Sequence, residues 1–295
     1  MSFWNNLNDD SKKYYTFTSK LHVFNASVDT ITHVLNIGGK YNKCVNITAN
    51  INGSKSHAYI DHIQSEPECT LDTILENSQA SEMIRASIQF CKHMYPELTT
   101  IELSDASNIE CGNPKRGIKA PRKRVKPFSL PHLSIATNKQ TWYEKHFGAK
   151  YKFKSLQEKY VLNKLNLDKP IDVSFDEFAK INILSEYQQT KLESYYNSAK
   201  SWYDFFISVP KEERCELFFN WLPTFINMII DNSFNMDGWA IDYDSMEKTE
   251  ISHIKETSGL TLNGGSHKKR STRKNGSKSG FILRHIKKGH SYTVL

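Results

Sequence analysis

Two runs of lysine and arginine carry the plainest chemical signal in this sequence. Residues 113 to 126 hold seven basic side chains: Lys115, Arg116, Lys119, Arg122, Lys123, Arg124 and Lys126. Residues 264 to 290 hold nine: Lys268, Lys269, Arg270, Arg273, Lys274, Lys278, Arg284, Lys287 and Lys288. Neither run contains an acid. Such clusters bind phosphate backbones by releasing counterions, without reading sequence. They serve equally as a solvated tail or a localisation signal. The whole chain has 39 basic and 32 acidic residues; setting aside those 16 leaves 23 against 32, so the remaining body carries about −9. Polyanion-binding appendages on an acidic body are the expectation, with nucleic acid as the candidate partner.

Other chemistry is sparse. The five cysteines (Cys44, Cys69, Cys91, Cys111, Cys215) are scattered, and no Cys-x-x-Cys occurs. Cys91 and His93, two apart, fall on different faces of a helix. Reduced thiols that pack in the core are expected, and no metal site. The absence of Gly-x-Ser-x-Gly or a protease-like cysteine setting argues against nucleophilic catalysis.

The elements that must position any site read clearly in the first half. Leu21 to Ala26 and Ile31 to Ile37 are strand-like, separated by Ser27 to Thr30, whereas residues 1 to 19 are polar and uninformative. Val45, Ile47, Ala49 and Ile51 alternate with polar residues, which predicts a half-buried strand. Asn52-Gly53 predicts a type I′ turn, and Ser56 to Ile63 returns as the partner. A helix follows over about 78 to 95, with Ala80, Ile84, Ser87, Ile88 and Cys91 on one face, Ser78 as N-cap, and Pro96 as its stop. Thr99, Ile101 and Leu103 alternate as the next strand. Between Gly112 and Pro131, prolines, glycines and the first basic cluster predict a long loop. A helix that begins at or just beyond Thr137 ends at Gly148, whose lack of a Cβ suits a left-handed cap. Tyr151-Lys152-Phe153 then starts an extended segment.

Beyond Lys154 the pattern turns helical. Ser174 with Glu177 predicts a capping box that opens a helix running towards Ile207. Another follows Pro210, with Phe218, Leu222, Phe225, Ile226 and Ile229 as its apolar stripe and Pro223 as a bend. From about Thr257 onward, Ser, Gly and Lys without acids predict disorder. The division expected is therefore an arm (1–19), an α/β domain (20–154) with a basic loop (112–131), a helical extension (155–246) and a basic, largely disordered tail (247–295).

The run Thr141-Trp142-Tyr143-Glu144-Lys145-His146-Phe147-Gly148-Ala149, with Ile101-Glu102-Leu103-Ser104-Asp105-Ala106-Ser107 upstream, resembles the second half of the GCN5-related N-acetyltransferase fold. Its wording looks most like divergent acetyltransferase-like proteins of large nucleocytoplasmic DNA viruses. The family's motif is of the type Tyr-Glu-Lys-x-Gly-Phe, and here the glycine falls one place later. The resemblance covers roughly residues 20 to 154. It implies a mixed, mostly antiparallel sheet with flanking helices, within an α/β (α+β) fold that continues into the helical extension and flexible basic tail.

The resemblance also implies acetyl-CoA as cofactor and transfer of its acetyl group to an amine. Ser78, Gln79, Ala80 and Ser81 would line the phosphate turn at the helix start, where free amides and the helix dipole suit an anion. The family's glycines in that turn are replaced here by Glu82 and Ile84. Tyr143 would protonate the departing CoA thiolate. Asp61, His62 and Glu66, at the end of the returning strand, are the candidate general bases.

The alternative implied by the lost glycines is a catalytically inactive relative serving as a nucleic-acid-binding or virion-associated structural protein. It would bind through Lys115, Arg116, Arg122, Lys123 and Arg124 in the loop and Lys268, Lys269, Arg270, Arg273 and Lys274 in the tail. No run of 18 apolar residues exists, and the start Met1-Ser2-Phe3-Trp4 has neither a basic nor an apolar leader region. A soluble, non-secreted protein without a membrane span is expected; the viral resemblance implies the host cytoplasm or viral factory, with packaging in the virion.

Overall fold

The computed structural model describes residues 11–20, 22–38, 44–53, 56–63, 79–111 and 126–258. The chain divides into two compact units, Met1–Leu103 with Ile241–Leu295 and Ser104–Ala240.

Unit 1 is a sheet with one long helix. Its strands are β1 (Lys12–Ser19), β2 (His22–Asp29), β3 (Val34–Gly38), β4 (Val45–Asn50), β5 (His57–Ile63), β6 (Thr100–Leu103) and β11 (Ile251–Thr257), and its helix is α1 (Gln79–Met94). The strand order is β11-β1-β2-β3-β4-β5-β6. Neighbours are antiparallel except β5 and β6, which run parallel and are joined through α1. The mixed α/β, mostly antiparallel expectation holds.

Alternation explains the sheet. Val45, Ile47 and Ala49 are buried while Asn46 and Thr48 stay partly exposed. The same face of α1 that the sequence predicts is sealed: Ile84, Ser87, Ile88 and Cys91 have no exposed surface. Ser87 satisfies its hydroxyl on the Met83 carbonyl at 2.7 Å. Phe90 of α1 stacks on Phe17 (4.6 Å between centroids), which stacks on Phe24 (5.2 Å). Between β2 and β3, the Asp29 carboxylate accepts from the amides of Ile31 and Thr32 and so fixes the turn.

Several expectations need correction here. β1 lies in the stretch that looked uninformative, because its inward positions include Ser19 as well as Phe17. The predicted type I′ turn is a longer loop: Gly53 carries the positive φ (57°), and the Ser56 amide and hydroxyl both donate to its carbonyl. Residues 251–257 are not tail but the strand β11, paired to β1. Cys44 and Cys215 are each engaged in a disulfide and not reduced, whereas Cys91 is free and buried, its thiol pushed up to about 12 by burial. Disulfide pairing depends on three-dimensional approach, which scattered spacing conceals.

Unit 2 is built mainly of short helices. It opens with the antiparallel ribbon β7 (Asn108–Cys111) and β8 (Lys126–Ser129), continues through α2 (Leu130–Asn138) and α3 (Trp142–Phe147), and reaches the short strand β9 (Lys150–Tyr151). There follow α4 (Lys154–Lys164), a 3-10 turn (Leu165–Asp168), α5 (Phe175–Ile181), α6 (Glu186–Ser198), α7 (Trp202–Ser208), α8 (Lys211–Phe218) and α9 (Leu222–Ile229). The strand β10 (Trp239–Asp242) pairs its first two residues with β9 and then carries the chain out of the unit.

Thus the predicted loop 112–131 ends early, at β8, and what looked like the start of one helix near Thr137 is the end of α2, stopped by Lys139 in the left-handed region. Tyr151 closes β9, and Phe153, still extended in backbone, is the N-cap of α4, so the extended segment is short. Ser174 does cap a helix, accepting from the Glu177 amide at 3.3 Å, but that helix ends at Ile181. Ser185 restarts the chain as α6 with a complete capping box to Gln188, and Ser201 restarts it again as α7. Pro223 does not bend a helix; it stands in the first turn of a new one, where its missing N–H is harmless. Phe178, buried at the centre, touches Tyr196, Trp202, Phe205, Trp221 and Phe225, with centroids between 4.8 and 5.9 Å.

Candidate functional site

In unit 1 the parallel pair is of unequal length. Register runs from His57–Thr100 to Ile60–Leu103, and β5 then continues for Asp61, His62 and Ile63. On its other side β5 pairs Ile60 with Ile47 and His62 with Asn46, which leaves Asp61 as the extra residue of a β-bulge. The bulge and the parting of the parallel strands therefore coincide at Asp61. Bulges bend a strand and re-aim its side chains. The Asp61 carboxylate accepts the hydroxyl of Thr48, and both Asp61 and His62 are half-buried.

The first turn of α1 already holds an anion. Glu82 accepts Lys20 Nζ at 2.8 Å, the Thr249 hydroxyl at 2.6 Å and the Ser19 hydroxyl at 3.3 Å. Burial pushes this carboxyl up, but the bonds from Lys20, Thr249 and Ser19 with the Lys20 charge outweigh it and hold it below its ordinary value. Three sequence positions separated by more than 60 residues meet there: the end of β1, the start of α1 and the approach to β11. Of the predicted phosphate turn, Ala80 is half-buried and Ser81 is buried and engaged. Gln79 is the first residue of α1; Ser78 and Glu66 lie outside the described residues.

Tyr143 belongs to unit 2. The helix that carries it is set by Thr141, whose hydroxyl accepts from the Glu144 amide at 3.2 Å while the Thr141 amide donates to the Glu144 carboxylate at 2.6 Å. Gly148 closes the helix at φ 62°, as its position in the sequence predicts. Glu144 also accepts the Tyr160 hydroxyl and Lys164 Nζ, each at 2.8 Å. The Tyr143 ring has no exposed surface and lies against Trp142, at 5.1 Å. Burial raises its phenol well above the ordinary value, and the charge of Asp105 raises it further.

Asp105 is the residue that the sequence alone did not single out. It stands two places beyond the end of β6, with its amide fixed to the Met236 carbonyl at 2.7 Å. Its Oδ1 accepts the Ser107 hydroxyl at 2.6 Å, and its buried Oδ2 has no hydrogen-bond partner. Burial pushes the carboxyl up to about 6, the bonds from Ser107 oppose that rise, and the Glu144 charge adds to it. The one available signal was an acid placed two residues after a buried strand and followed by the small residues Ala106 and Ser107.

A third group in unit 2 has the residue types of a nucleophile site. The Ser129 hydroxyl donates to His132 Nδ1 at 2.6 Å, and His132 Nε2 donates to Asn227 Oδ1 at 3.3 Å. Burial, only partly opposed by the Asn227 bond, pushes His132 down to about 4. A base that weak does not withdraw a hydroxyl proton near neutrality. The trio fastens the start of α2 to α9.

A groove of about 500 Å³, lined by Ile183, Leu184, Tyr187, Phe219 and Trp221 among others, contains none of the predicted site residues. The structure therefore puts Asp61, His62 and the α1 start in unit 1 and Tyr143 with Asp105 in unit 2. Lys115, Arg116, Arg122, Lys123, Arg124, Lys268, Lys269, Arg270, Arg273 and Lys274 lie outside the described residues. Among the described residues no group of His, Cys, Asp and Glu is arranged to hold a metal ion, and no helix is long and apolar enough to cross a membrane. No family model matches the chain, and neither a curated protein nor a solved structure is similar to it.

Proposed function

We propose that the chain transfers an acetyl group from acetyl-CoA to an amine, with unit 1 as an acyl-CoA-binding fold of the GCN5-related type. One observation carries this reading: β5 bulges at the residue where it leaves its parallel partner β6. Ligands of α/β sheets bind beyond the carboxyl ends of parallel strands. A parted pair offers backbone N–H and C=O groups outside the ladder, and these suit the amide-bearing arm of coenzyme A. Asp61 and His62 lie at that point, and α1 provides the connection between the two strands.

The reading is tested by thermal or urea unfolding of the full chain with and without acetyl-CoA. Ligand at 100 times its dissociation constant should stabilise the fold by about 2.7 kcal/mol. Absence of any shift at millimolar acetyl-CoA would remove the reading.

A further inference from the structure

We propose that the outer face of α4 in unit 2, with Phe153 at its start, docks on a lipid bilayer that carries anionic headgroups. This surface serves whether or not the chain transfers acetyl groups.

Phe153, Leu162 and Leu165 are 69%, 65% and 59% exposed, and Val161 is exposed beside them. Val161 and Leu165 are four residues apart and Leu162 and Leu165 three, so these three share one flank of the helix. The other side is fastened by polar contacts. The buried Tyr160 donates its hydroxyl to Glu144 at 2.8 Å, and Lys164 Nζ donates to the same carboxylate at 2.8 Å. Asn163 and Asn166 donate to the carbonyls of Ile230 and Ile229, at 3.2 and 2.8 Å. With those anchors in place, α4 cannot roll its apolar flank inward, and the flank stays in water. Large apolar side chains gathered on a surface mark a docking site.

Charge identifies the partner. From Lys145 to Lys169 the chain holds seven lysines against two acids, Glu158 and Asp168, and every one of those lysines except Lys164 is exposed. Taking them from the 23 basic and 32 acidic residues of the body leaves 16 against 30, so this segment is a positive island on an acidic protein. Its acids are already matched: Asp168 pairs with Lys139, and Glu158 lies 3.6 Å from Lys154. Lys159 is itself matched, to Asp231 at 3.1 Å. Lys150 and Lys152 stand on the side of β9 opposite the buried Tyr151, and Lys154 precedes Val161 by two helical turns on the same flank. No arginine occurs in the segment. Lysine is a point charge on a flexible stem, without the planar fork that reads a fixed phosphate, and its stem lies along apolar surface while the ammonium stays among headgroups. Leucine, valine and phenylalanine set among lysines are the composition of a helix that rests on an anionic bilayer. A second copy of the chain fits less well, because a two-fold contact would set these lysines against their own images.

The test is flotation of the full chain with vesicles of phosphatidylcholine alone and with vesicles of equal parts phosphatidylcholine and phosphatidylserine. The wild type should float with the second kind. The double variant Leu162→Ser, Leu165→Ser should lower that partition coefficient about tenfold, because binding scales with the apolar area inserted. Its midpoint of urea unfolding should not move, since both side chains are exposed. The basic runs at 113–126 and 264–290 are intact in the variant, so attraction through them does not produce the difference. Phe153→Ser supplies the same comparison if the double variant does not fold. A wild type that stays at the bottom of the gradient overturns the inference. So does a folded variant that floats as well as the wild type. A wild-type dimer that the double variant converts to a monomer in sedimentation equilibrium assigns the face to a second copy, and overturns it as well.

Discussion

The two units differ in how their sequences encode structure. Unit 1 is written in period two: Val45, Ile47 and Ala49 point one way along a strand, and among the described residues one sixteen-residue helix accompanies the sheet. Unit 2 is written in aromatic residues, with Phe178 against six other rings and, among the described residues, a longest helix of only thirteen residues. A sheet spreads its information along many alternating positions. A cluster of short helices concentrates it in a few large side chains and in the residues that break the chain.

That contrast predicts where damage is greatest. Phe178→Ala should cost about 3–5 kcal/mol in urea unfolding, because the cavity opens at the meeting point of the aromatic contacts. A loss below about 1.5 kcal/mol would show that unit 2 is not organised around this ring. Thr141→Ala should cost about 1 kcal/mol, the usual value of an N-cap, and it removes the hydroxyl half of the Glu144 network.

In unit 1, the corresponding fastening is ionic. Since the Glu82 carboxyl is held below its unfolded value, its contribution is present above the unfolded pKa of about 4.5 and is lost as the pH falls through the lower folded value. Glu82→Gln should therefore lower stability by roughly 1 kcal/mol at pH 7 and flatten the acid limb of the unfolding midpoint below pH 4.5. An unaltered acid limb would place the acid sensitivity elsewhere. The smallest effect has the opposite sign. Ile183 lies between α5 and α6 at φ 51° and is 89% exposed, an expensive conformation for a β-branched residue. Ile183→Gly should stabilise the chain by about 0.5–1 kcal/mol, measured by the unfolding midpoint.

Ile183 also explains why unit 2 was less legible than unit 1. Chain breaks are read from glycine and proline, and here the left-handed positions fall on Lys139, Ile183, Asn220 and Asp231. With isoleucine at the break, α5, α6 and α7 read as one helix from Ser174 towards Ile207. Where glycine does mark the break, at Gly148, the end of α3 was predicted correctly. In unit 1 the failures have another cause. β1 and β11 turn Ser19 inward and seat Thr249 beside Glu82, so polar side chains fill places that a hydrophobic pattern needs. Asp61, visible as a polar strand end, gains its interest only from the bulge, which depends on pairing with β4. Asp105 was hidden for a similar reason: its isolation follows from burial, which local sequence does not encode.

The pairing of β1 with β11 bears on how the protein is made. Thr18 and Ser252, hydrogen-bonded across that pair, are 234 residues apart. At about 5–20 residues per second, a ribosome needs on the order of 10 to 50 s to deliver the second after the first. For that interval the nascent β1 has a bare outer edge, the kind of edge that recruits foreign strands. A chaperone that shields residues 12–19 during translation would thus raise the yield of native protein more than one added after release.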